Sequence, residues 1–160
     1  MKSSDNSARH AARLAAVQAL YQMEISGDAA DEVTTEFVEH RFGREEEVTP
    51  GEPDRAFFAD LVHGVPKMQA EIDAAIAKVL AKNWRLSRVD SLLRAILRAG
   101  VYEILVRKEI GAKIVIDEYV ELTHEFEADE GTPFVNDALD KLAHLKRAEE
   151  FGEKAPDDDF

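Results

Sequence analysis

The chain has 160 residues, 45% apolar and 33% charged, with a formal net charge of -13 and no cysteine. That composition belongs to a folded protein of one domain or two halves. It excludes disulfides, thiolate chemistry and a blanket attraction to nucleic acid. No apolar run reaches the ~20 residues that span a bilayer, and the first seven residues carry no apolar leader, so a soluble, cytosolic protein is expected.

Periodicity is helical nearly throughout. Residues 1–7 are expected to be a flexible N-terminus. The first helix then carries Leu14, Val17, Tyr21 and Ile25 as its buried stripe, with Gly27 at C-cap distance. A shorter helix over Ala30–Phe42 uses Val33 and Phe37. The stretch Gly43–Pro53 (GREEEVTPGEP) is a loop. A third helix starts near Asp54, a cap candidate, and buries Phe57, Phe58, Leu61, Val62 and Val65. Gly64 and Pro66 interrupt it. Helix resumes through Met68, Ile72, Ile76 and Val79.

The next helix is capped by Ser87 or Asp90 and has a broad apolar face around Gly100, which suits a close helix approach. Another runs over roughly Lys113–Glu127. The last opens at TPF, with Thr132 as N-cap and Pro133 at the first helical position. The fold expected is all-α: a bundle of six to seven helices in residues 8–147, in halves 8–82 and 87–147. Residues 148–160 read as an acidic, disordered tail.

Charge is segregated. Residues 1–23 and 78–113 are net positive, and the segments after each are strongly negative. A local basic patch is therefore compatible with an acidic whole. Catalytic signatures are missing. The five His show no metal-ligand spacing, His124-Glu125 lacks the second His of a zincin, and there is no phosphate loop or nucleophile elbow. The run EFEADEG (Glu125–Gly131) lacks the calcium-loop pattern and reads as an acidic helix end. A binding protein without cofactor or metal is expected, not an enzyme.

Three stretches matter together: AVQALYQME (16–24), RVDSLLRAILRAGVYEIL (88–105), and IDEYVELTHEF (116–126) followed by FVNDALDKLA (134–143). In order and spacing the chain resembles the NusB family of bacterial transcription antitermination factors, over roughly residues 8–145. The resemblance implies an all-helical, non-enzymatic protein. It implies binding to single-stranded boxA RNA of ribosomal RNA operons, jointly with a small-subunit ribosomal protein (NusE), and indirect engagement of RNA polymerase and other Nus factors. Monomer and homodimer are both compatible. Two alternatives stay open: a helical scaffold or dimerisation module with negligible RNA affinity, and a stand-alone relative of the NusB-like domain of RNA cytosine methyltransferases.

By the same resemblance, Arg9, His10 and Arg13 fall at basic family positions, with Lys2 ahead of them, while Ala11 and Ala12 thin the patch. Phe134 matches a family aromatic implicated in RNA contact, and Pro133 replaces a residue that can be basic. Physically, Arg9 and Arg13 at i,i+4 present guanidinium forks to phosphate or merely cover a bundle edge. Phe134 lies about 75° off its helix's buried stripe and in the first turn, either to stack on a base or to pack on the preceding loop. Candidate partner-binding residues are Tyr21, Arg94, Arg98, Tyr102, Asp129 and Glu130. Asp90 is placed to pair with Arg94, and the acidic surface suits a basic protein.

Overall fold

The computed structural model describes residues 2–42, 53–80 and 89–153, with side chains from Asn6 onward. Of the expected Gly43–Pro53 loop only Pro53 lies among them, and the Ser87 cap lies outside them. Seven α-helices and no strand occur among the described residues. The chain forms two compact units, Met1–Lys67 and Met68–Phe160. The division differs from the expected halves. It falls where Pro66 closes one helix and Met68 (φ -107, ψ 17) leaves helical geometry.

In the first unit α1 is Lys2–Ser26, α2 Ala30–His40 and α3 Arg55–Lys67. Residues 2–7, expected to be flexible, are helical. Gly27 (φ 81) ends α1, its amide bonding Met23 O at 2.8 Å. The Ala29 amide, at the start of α2, donates to Glu32 Oε1. Asp54 caps α3 as expected, accepting from Phe57 N at 3.0 Å, while its own amide donates to Ala8 O. That bond sets the start of α3 beside the start of α1. Phe37, Phe58 and Phe42 form an aromatic cluster with centroids 4.9–6.2 Å apart, within the range where edge and offset contacts add to burial.

The expected stripe of α1 is only half realised. Leu14 and Val17 are buried, but Tyr21 is 41% and Ile25 64% exposed. Helix α3 has 13 residues and starts level with Ala8, so at 1.5 Å per residue it is spent by about residue 20 of α1. The last turns of α1 run past its end.

In the second unit α4 is Gln69–Val79, α5 Ser91–Val106, α6 Ala112–Glu125 and α7 Thr132–Lys146. Helices α5, α6 and α7 pack on one another, and α4 packs on α5 and α7. Asp90 caps α5 through Leu92 N. A Cβ on Gly100 would stand 3.0 Å from Leu139 Cδ1, and that close approach of α5 and α7 explains the glycine. The Tyr119 hydroxyl donates to Glu103 inside the core, joining α6 to α5.

The start of α7 differs from the expectation. Gly131 is the N-cap and Thr132 is already helical (φ -58, ψ -49), because a 3-10 turn, Asp129–Gly131, feeds straight into the helix. The Thr132 hydroxyl is buried without a hydrogen-bond partner. Packing selects the cap residue here: a Cβ at position 131 would meet Leu93 at 2.6 Å.

Part of the expected 148–160 tail is ordered: Ala148–Phe151 form a 3-10 turn, and of that segment residues 154–160 lie outside the described residues. The cause is Arg147, which is 5% exposed. Its guanidinium donates to the carbonyls of Glu103, Ile104, Arg107 and Ile110, which end α5 and begin the next loop, and to Glu150 Oε2. The other Glu150 oxygen accepts Ala112 N, at the start of α6, at 2.8 Å. That amide first, then Arg147, holds the Glu150 carboxyl below its ordinary value.

Candidate nucleic-acid interface

Helix α1 brings its basic residues to α3. The Asp54–Ala8 bond places Phe57 beside the first third of α1, and two guanidiniums flank that one ring. The Arg9 Cζ lies 5.3 Å and the Arg13 Cζ 5.0 Å from its centroid. Both distances suit cation–π attraction. The two arginines differ in access. Arg9 is half-buried, whereas Arg13 is 3% exposed. The expectation of two equivalent exposed arginines therefore fails for Arg13, whose stem fills part of the interior. Ala11 and Ala12 are fully buried, so longer side chains there have no room. His10 is half-buried. The Lys2 side chain lies outside the described residues.

In the second unit Phe134 is half-buried in the first turn of α7, between exposed Pro133 and buried Val135. Ahead of it the 3-10 turn exposes Asp129 and Glu130. Asp129 Oδ1 meets His124 Nδ1 at 2.8 Å, which ties this turn to the end of α6. Glu127, at φ 58, occupies the left-handed region in the same connection. An acidic, well-anchored corner thus precedes the aromatic residue.

The other candidates divide by engagement. Arg98 makes a bidentate pair with Asp73 of α4, Nε to Oδ1 at 2.9 Å and Nη2 to Oδ2 at 3.0 Å, so its fork holds two helices together. Arg94 donates to Val89 O and Ser91 Oγ at the start of its own helix. The Asp90 Oδ1 accepts from Leu92 N. Tyr102, at 5% exposed, offers a partner almost no surface, and Tyr21, at 41%, offers a good deal.

Sequence reading missed Phe57 as a platform, since its apolar spacing marks it only as core. The lone Arg147 after the last helix was the available signal for the C-terminal lock.

A profile of the NusB family matches residues 10–144. The chain is 50% identical over 143 residues to the transcription antitermination protein NusB of Caulobacter vibrioides, covering 87% of this chain and 94% of that one. It is 49% identical to the NusB protein of Maricaulis maris, over 89% and 90% of the two chains. Among solved structures it is similar to NusB of T. maritima (TM-score 0.75, 25% identity, 90% and 96% covered). It is also similar to a chain in the crystal structure of antitermination factors NusB and NusE in complex with dsRNA (TM-score 0.69, 26% identity, 84% and 94% covered).

Proposed function

Since the chain belongs to the NusB family, we propose that it is a transcription antitermination factor. It binds single-stranded boxA RNA of ribosomal RNA operons together with NusE, and through that complex engages RNA polymerase and the other Nus factors. It acts by binding, in the cytoplasm, and not as an enzyme. The observation that carries this reading is the 50% identity to an antitermination protein across 94% of that relative's length. The similar chain solved with NusE and RNA supports the choice of partners.

Within the chain the roles divide by access. Arg9 pairs with RNA phosphate, and the Phe57 ring limits the entropy its side chain must lose on binding. Arg13 holds the ring from its inner flank. His10 and Lys2 extend the basic surface, and Phe134 stacks on a base. Tyr21, Asp129 and Glu130, being exposed, serve the protein partner. Arg94, Arg98 and Tyr102 hold the helices of the second unit, which carries Asp129 and Glu130. No helix among the described residues is long and apolar enough to cross a membrane.

The burial of Arg13 favours one second reading. A basic surface this thin suits a scaffold or dimerisation module that meets RNA only through its partner. Titrating boxA RNA at several salt concentrations, with and without NusE, separates the two. Phosphate pairing by this chain gives a log–log slope of about -0.7 per phosphate engaged on a single strand. Absence of any RNA binding by the chain alone, at low salt, selects the scaffold.

A further inference from the structure

The α4–α7 face of the second unit carries an open groove of about 600 Å³, lined by Lys78, Val79, Leu80, Asp140, Lys141, His144, Leu145 and Glu153. The turn that follows α7 contributes Glu153 to its lining. His144 reaches that turn twice. Its Nδ1 lies 2.8 Å from Glu153 Oε1, and its ring stacks on Phe151 with centroids 3.9 Å apart. Its Nε2 lies 3.5 Å from Asp140 Oδ1, one turn back on α7. An imidazole with a carboxylate at each nitrogen satisfies both only when both nitrogens carry a proton.

We propose that His144 is a proton-operated latch beside the α4–α7 groove: as imidazolium it binds Glu153 and Asp140 together and holds Phe151–Glu153 on α7, and as neutral imidazole, with one N–H for two carboxylates, it loosens them. The inner part of the turn does not move with it, because Arg147 and Glu150 fix that part to α5 and α6. Gly152, in the left-handed region at φ 70 where an added Cβ would meet nothing, is the joint; its amide and that of Glu153 bond back to Glu149 O and Ala148 O at 3.1 and 3.0 Å, and these are the bonds that opening breaks. The charged groups around His144 are Asp140 and Glu153, which favour its proton, and Lys141 of α7 and Lys78 of α4, which oppose it. Lys141 is partly neutralised by Asp137 at 3.1 Å.

The balance favours the proton. The Glu153 hydrogen bond raises the His144 pKa above its ordinary 6.5, and the Asp140 charge adds to this against desolvation. By linkage the imidazolium's contribution to closure is fully present below 6.5 and is lost as pH rises through the raised value. Nothing in this device depends on RNA or on NusE.

NMR of the full, isotope-labelled chain decides it. The His144 ring is titrated in the wild type and in Glu153→Gln, and amide exchange at Gly152 and Glu153 is followed in the wild type, referenced at each pH to His144→Gln. The wild-type ring is expected to titrate above 6.5 and the Glu153→Gln ring lower. Amide protection relative to His144→Gln should fall across the titration by a factor equal to the ratio of the two acid constants. Identical titrations in wild type and Glu153→Gln, or protection that stays flat through the window, overturn the proposal. If His144→Gln fails to fold, the comparison of the two titrations decides alone.

Discussion

Arg9→Ala and Arg13→Ala are chemically the same change four residues apart, and the structure gives them different consequences. Arg13 is 3% exposed and its guanidinium rests on Phe57. Truncation removes buried methylenes, each worth about 0.8 kcal/mol, and a desolvated cation–π contact of about 1–2 kcal/mol. Relief of guanidinium desolvation offsets part of this. The net expectation is a loss of about 2–4 kcal/mol, or on the order of 10 °C in melting for a chain of this size. Arg9 is half-buried beside the same ring, so Arg9→Ala should cost about 1 kcal/mol or less. Its effect belongs to RNA. Binding weakens, and the salt slope shrinks by about 0.7 for each phosphate lost. Urea melts and salt-dependent RNA titrations on both variants and on Phe57→Leu supply the readouts. The reasoning is refuted if Arg13→Ala melts with the wild type, or if Arg9→Ala leaves RNA binding and its slope unchanged.

Arg147→Ala should destabilise by about 3–5 kcal/mol in urea melts, because it strips donors from the carbonyls of Glu103, Ile104, Arg107 and Ile110 at the end of α5 and in the next loop. Glu150, with its carboxyl held low, contributes stability that is present above the ordinary 4.5 and is lost as pH falls through the lowered value; Glu150→Gln should flatten that acid limb of the pH–stability curve. Phe134→Ala should weaken RNA binding by about 1–3 kcal/mol while costing less stability than the ~3–5 of a buried Phe; a variant that binds RNA normally while folded removes Phe134 from the site. Thr132→Val should be neutral or stabilising by up to about 1 kcal/mol, since it removes a buried hydroxyl with no partner, and a cost of about 1 kcal/mol in thermal melts would instead restore Thr132 as a cap.

The helices themselves were legible in the sequence because spacing of apolar residues is a local property. Asp54 and Asp90 were readable as caps for the same reason: their acceptors serve amides two or three residues on. Gly100 was readable as a close approach, though not which residue approaches. Thr132 fails as a cap because the 3-10 turn Asp129–Gly131 feeds straight into α7 and leaves Thr132 already helical. The other missed features each depend on a distant neighbour. Arg13 is buried because Phe57 lies against it. A stripe shows which face of α1 is apolar and not how far its neighbour extends, so Tyr21 and Ile25 were misplaced. Acidic composition marked 148–153 as tail, although a single arginine outweighed it.

That arginine also sets an order of events during synthesis. Arg147 follows the carbonyl it binds at Ile104 by 43 residues, and Glu150 follows the amide it caps at Ala112 by 38. At roughly 5–20 residues per second, the ribosome takes about 2–9 s to make that stretch, while helical contacts form in microseconds to milliseconds. The nascent α5 and α6 thus wait, their ends solvated, for a clasp that arrives last. A chain arrested before Arg147 holds packed helices whose end carbonyls still lack the guanidinium that binds them.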